Sequence, residues 1–98
     1  MQEEDTELYE LLENVTQEQV LDIVRNLKLR KLVDPFHTHR VDGRLLMGIE
    51  AVQDLTDIDP LTVKPIFARA LYSELSKWKR NGGRVPRHLL NQAQSRAL

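Results

Sequence analysis

Residues 63–78 set Val63, Ile66, Phe67, Ala70, Leu71, Leu75 and Trp78 in a broad apolar stripe at helical spacing. A helix so patterned must bury that stripe against something. The rest of the chain offers more helix for the purpose, since it shows no period-two alternation, low-complexity tract or useful repeat. Thr62 is the expected cap, and Pro65 then falls in the first turn, where amides lack internal partners. Asn81-Gly82-Gly83 is expected to stop the helix, because Gly and Asn accept the left-handed conformation.

Upstream, Thr16 and Gln19 form a capping-box pattern, and the helix it opens sets Val20, Ile23, Val24 and Leu27 at i, i+3, i+4 and i+7. Leu29, Leu32, Val33 and Phe36 follow in a stretch that Pro35 restricts to a short or broken helix. Asp42-Gly43 marks a turn or helix start before Leu45, Leu46 and Met47. Ala51, Val52 and Leu55 suit the inner side of one more short helix, punctuated by Asp57 and Asp59. Leu8, Leu11 and Leu12 suggest an extra short N-terminal helix over residues 6–13, with Asp5 or Thr6 as its cap. The expected class is all-α: a compact five-helix bundle with a long C-terminal helix.

A chain of 98 residues holds one such domain and no second. With 41% hydrophobic and 30% charged residues it reads as globular, not disordered. The net charge of -1 sets up no whole-molecule field for nucleic acid. That balance hides segregation. Residues 1–15 contain six acids (Glu3, Glu4, Asp5, Glu7, Glu10, Glu13) and no base, whereas no acid follows Glu74 and six bases do (Lys77, Lys79, Arg80, Arg84, Arg87, Arg96). The expected division is an acidic extension over 1–14, a domain over 15–80 and a basic, flexible tail over 81–98, both ends being solvated flanks.

Little in the chain suits chemistry. Without cysteine there is no disulfide, thiolate metal site or thiol nucleophile. His37 and His39, two apart, point to different faces of a helix, and with His88 they read as surface residues, not metal ligands. Asp57-x-Asp59 reads as a helix-capping loop before a magnesium site, and Gly82-Gly83 lacks the frame and lysine of a phosphate loop. No enzyme activity, metal or cofactor is expected. Trp78 reads as a core or cap residue. Tyr9 lies in Glu-Leu-Tyr-Glu-Leu-Leu, an acidic setting that suits a tyrosine kinase and puts Leu12 three residues on; packing of that segment as a helix is the favoured alternative. No apolar run approaches the ~20 residues of a membrane span, and the acidic start lacks signal-peptide character, so a cytoplasmic location is expected.

Phe36, then Val41-Asp42-Gly43 and Leu45-Leu46, resembles the pattern of SAM (sterile alpha motif) domains. In that family a phenylalanine near the end of helix 2 precedes an Ile-Asp-Gly-x-x-Leu-Leu turn into helix 3. Asp54-Leu55 with Ile58 is similar to the close of helix 4, and Val63, Ile66, Phe67 and Leu71 match the core positions of helix 5. The resemblance spans residues 15–79. Val15 departs from the tryptophan that often begins helix 1, and Asp59-Pro60 stands where many have a glycine.

The resemblance implies a protein interaction module of a signalling scaffold or adaptor, joining other SAM domains or itself head to tail. Its mid-loop side would carry Arg30, Lys31, His39, Arg40 and Arg44, and its end-helix side Asp54, Asp57, Asp59 and Lys64. Such opposite patches predict weak, salt-sensitive homo-oligomers or, preferentially, pairing with another SAM domain. The alternative is an RNA-binding or anionic-lipid-binding SAM domain using the basic segment 25–44.

Overall fold

The computed structural model describes residues 8–90. Among them five α-helices follow in chain order: α1 (Gln17–Asn26), α2 (Val33–Thr38), α3 (Gly43–Met47), α4 (Val52–Thr56) and α5 (Pro65–Arg80). Two short strands, β1 (Tyr9–Leu11) and β2 (Arg84–Pro86), flank the helices and pair with each other. The molecule is therefore mostly helical, and the all-α expectation fails at its two ends. No helix among the described residues is long and apolar enough to cross a membrane.

The helix starts follow local rules. At α1 the Thr16 hydroxyl accepts from the Gln19 amide at 3.1 Å, and the Gln19 side chain accepts from the Thr16 amide at 3.0 Å. Val20, Leu21, Ile23 and Val24 form its buried face. Pro35 lies in the first turn of α2, where its missing N–H removes no helical bond. Asp42 caps α3 by accepting from the Leu45 amide at 3.0 Å.

Gly43 shows why that junction is tight: a Cβ placed there would lie 1.8 Å from the carbonyl oxygen of Leu12. Only a residue without a side chain lets α3 approach residues 12–15 so closely. The Gly43 amide also donates to the Val15 carbonyl at 2.9 Å. From α5, the Tyr72 hydroxyl donates to the Glu50 carbonyl at 2.9 Å and the Lys79 ammonium to the Ile49 carbonyl, holding the segment before α4.

The long helix differs from expectation at its start. Thr62 does not cap it; Lys64 occupies the cap position, with Pro65 the first helical residue. Ala68, Leu71, Leu75 and Trp78, three or four apart, form the buried face. Ile66 is five residues from Leu71, about 140° around the helix, and so faces outward instead of joining the core. At the other end Gly82 and Gly83 have φ of 76° and 74°, and the Gly83 amide returns to the Trp78 carbonyl at 2.8 Å, as expected of the stop.

The flanks are the main correction. The expected helix over residues 6–13 is replaced by β1 and a 3-10 turn at Leu12–Asn14; its proposed caps, Asp5 and Thr6, lie outside the described residues. β1 runs antiparallel to β2, with Tyr9 opposite Pro86, Glu10 opposite Val85 and Leu11 opposite Arg84. The Leu12 amide extends the ladder to the Gly83 carbonyl at 2.7 Å.

Nor are residues 81–90 a flexible tail. Val85, Leu89 and Leu90 are buried together with Leu12, and the Asn26 side-chain amide donates to the Leu89 carbonyl at 2.7 Å. The Glu10 carboxylate sits 3.6 Å from the Arg87 guanidinium, so one acid of the N-terminal flank meets one base of the C-terminal flank. Full burial of an aliphatic side chain stabilises by ~1.5–3 kcal/mol, which outweighs the solvation preference of the charges beside it. The rest of the expected tail, 91–98, lies outside the described residues.

Candidate protein-binding surface

The chain between α4 and α5 turns tightly on Asp59. Its carbonyl accepts from the Thr62 amide at 3.1 Å and the Val63 amide at 2.8 Å, and Val63 is buried beneath. The turn has another anchor in His39 from the end of α2, whose Nε2 lies 3.3 Å from an Asp59 carboxylate oxygen. The Asp59 carboxyl is held below its ordinary value, chiefly by the Thr62 hydroxyl hydrogen bond, with His39 contributing and desolvation opposing.

Held in this way, the turn projects Leu61, 84% exposed, and the first turn of α5 adds Ile66, 64% exposed. Pro60, Lys64 and Pro65 are exposed around them. These two are the most exposed large apolar side chains among the described residues. An exposed aliphatic on a braced turn, with a second in the helical turn that follows, is material for contact with another macromolecule.

The residues expected on the end-helix side have different fates. Asp54 accepts from the Glu50 amide at 2.9 Å and is committed to the start of α4. Asp57 is exposed and takes a 3.4 Å hydrogen bond from the Gln53 side chain. Asp59 serves the turn and His39. Lys64, at the cap of α5, is exposed beside the apolar pair.

The residues expected on the mid-loop side are all exposed but have different settings. His39 reaches across to Asp59, so a member of one expected patch binds a member of the other within the same molecule. Arg40, with φ of 54°, borders a cleft of about 220 Å³ between the start of α1 and the end of α2, lined also by Gln17, Glu18, Leu21, Phe36 and His37. Arg44 borders a different hollow with Glu13, Asn14 and Met47. Arg30 and Lys31 are exposed on the 3-10 turn before α2.

Tyr9 is half-buried in β1, opposite Pro86. Leu12, three residues on, is fully buried, so a partner that reads both residues must first peel the strand away. Among the described residues no group of three or more His, Asp or Glu side chains is placed to hold a metal ion, and no charged residue is buried.

Reading the sequence missed Leu61 altogether and assigned Ile66 to the core. The usable signal was an apolar residue inside Asp59-Pro60-Leu61-Thr62, in a segment that Pro60 and Pro65 keep out of regular helix. Comparison of the chain with protein-family models, curated proteins and solved structures gives no match in any of the three.

Proposed function

We propose that this chain is a protein interaction module of the SAM type, serving in a cytoplasmic signalling scaffold or adaptor and binding another SAM domain through the tip of α5. The single observation that carries this reading is the exposure of Leu61 on a braced turn and of Ile66 in the first turn of α5, with Asp57 and Lys64 close by in sequence to orient a partner. Five helices in the order one medium, three short and one long support it, as does the closeness that Gly43 permits between α3 and residues 12–15. Apolar burial supplies most of the affinity in such a contact, and exposed ion pairs of ~0–1 kcal/mol each steer it.

The RNA-binding or lipid-binding alternative draws less support. A phosphate-binding surface needs cations gathered on one face. In this molecule Arg25 is 3.2 Å from Asp22, His39 serves Asp59, and Arg44 shares its hollow with Glu13.

The test is capture on immobilised wild-type chain and on a Leu61→Asp, Ile66→Asp variant, with retained proteins identified and their binding domains mapped. SAM-containing proteins held by the first and lost from the second support the proposal. Identical retention by both surfaces refutes it.

A further inference from the structure

Asp42-Gly43 and Asn81-Gly82 each put a glycine directly after a side-chain carbonyl that its backbone nitrogen can reach. No side chain shields a glycine nitrogen, so such pairs close most readily to a five-membered succinimide ring. The fold protects the first pair. Gly43 is buried, its amide donates to the Val15 carbonyl at 2.9 Å, and the Asp42 carboxylate accepts from the Leu45 amide at 3.0 Å. The second pair is left open at the end of α5. Asn81 and Gly82 are both exposed, and no described residue accepts from the Gly82 amide or hydrogen-bonds the Asn81 side chain. The Arg84 guanidinium carbon stands 3.9 Å from where a Gly82 Cβ would lie, so positive charge attends the nitrogen as it loses its proton. The other asparagines precede Val15, Leu27 and Gln92, and Asn26 is also held by its bond to the Leu89 carbonyl.

We propose that Asn81-Gly82 is a site of spontaneous deamidation and that its isoaspartyl product loosens the paired ends. Hydroxide takes the Gly82 amide proton, and the nitrogen adds to Asn81 Cγ. The N–Cγ bond forms, the Cγ–Nδ2 bond breaks, and ammonia leaves with a proton from water, which returns the hydroxide. Water then opens the ring. Breaking the new N–Cγ bond gives aspartate, and breaking the original bond from the Gly82 nitrogen to the Asn81 main-chain carbonyl carbon gives isoaspartate. Ring closure needs rotation about Asn81 ψ, 34° in the folded chain, and a helix end frays at little cost. In isoaspartate the main chain runs through Cβ and Cγ and is one atom longer. That atom falls inside the loop closed by the Gly83 amide on the Trp78 carbonyl at 2.8 Å, just before the Gly83 carbonyl that accepts from the Leu12 amide at 2.7 Å. The stop of α5 and the last rung of the β1–β2 ladder are therefore displaced together.

Prolonged incubation of the full chain at neutral and mildly alkaline pH, followed by peptide mapping with mass spectrometry, tests this. Asn81 should convert first, faster at the higher pH, to isoaspartate and aspartate with isoaspartate in excess, while Asn14, Asn26 and Asp42 persist. The converted chain, separated by its added negative charge, should melt about 4–8 °C below fresh protein, the effect of losing one hydrogen bond in a domain of this size. Asn81→Gln, where closure would need a six-membered ring, should keep its Tm through the same incubation. Fresh Asn81→Asp, which adds the charge without the extra chain atom, should melt near wild type. The proposal is overturned if Asn81 stays intact or reacts no sooner than Asn14 or Asn26. It is equally overturned if conversion leaves Tm unchanged, or if incubated Asn81→Gln or fresh Asn81→Asp shows the same fall.

Discussion

Two regions of this molecule treat apolar side chains in opposite ways. At the paired ends, Leu12, Val85, Leu89 and Leu90 come from charged flanks and yet are buried. At the tip of α5, Leu61 and Ile66 come from the interior of the domain and yet stand in solvent. Burial is governed by what the chain can close over, and the flanks close because β1 and β2 pair. Among the described residues, nothing closes over Leu61 and Ile66 at the tip. If the proposed function holds, the paired ends serve stability and the tip serves binding, and variants in one region should leave the property of the other intact.

The largest effect is expected at Gly43. Gly43→Ala drives a methyl group into the Leu12 carbonyl, a backbone atom that cannot yield without dismantling the junction. A loss of more than ~4 kcal/mol is expected, enough to leave much of the chain unfolded by circular dichroism. Leu12→Ala comes next, at about 2–5 kcal/mol in a denaturant titration, because it opens a cavity where the ends meet the helices. Asn26→Ala removes the hydrogen bond to the Leu89 carbonyl and should cost about 1 kcal/mol, or about 4–8 °C in Tm.

The smallest stability effect belongs to Asp59. Its carboxyl pKa is lower in the folded protein, so the stabilisation is present above the ordinary value of 3.8 and is lost as pH falls through the folded value. Melting curves of wild type and Asp59→Asn should therefore differ slightly at neutral pH and converge in acid. A gap that stays constant with pH would show that the charge on Asp59 does not hold the turn.

The same contrast explains what was legible in the sequence. The Thr16–Gln19 capping box, the Asp42 cap and the glycine stop of α5 are local, and each appears where the residues indicate. The β1–β2 pairing is not local. Its strands are three residues each and lie at opposite ends of the described chain, so neither is long enough to show alternation. Leu8, Leu11 and Leu12 suggested a helix by spacing alone, but the ladder to residues 83–86 prevailed over that local preference. Ile66 went astray for another reason: with Pro65 as the first helical residue, the buried face is phased by Ala68 and Leu71, and Ile66 falls off it. Of the expected site residues, the charged ones were visible as types, but their pairing across the molecule, such as His39 with Asp59, depends on tertiary packing.

The most direct test of the tip as the binding surface is a paired measurement on Leu61→Asp, Ile66→Asp: its Tm beside wild type, and its binding beside wild type to a SAM domain identified by capture. Both positions are exposed, so Tm should change by no more than a few degrees while binding falls by about a hundredfold. Unchanged binding by a folded variant would contradict the account.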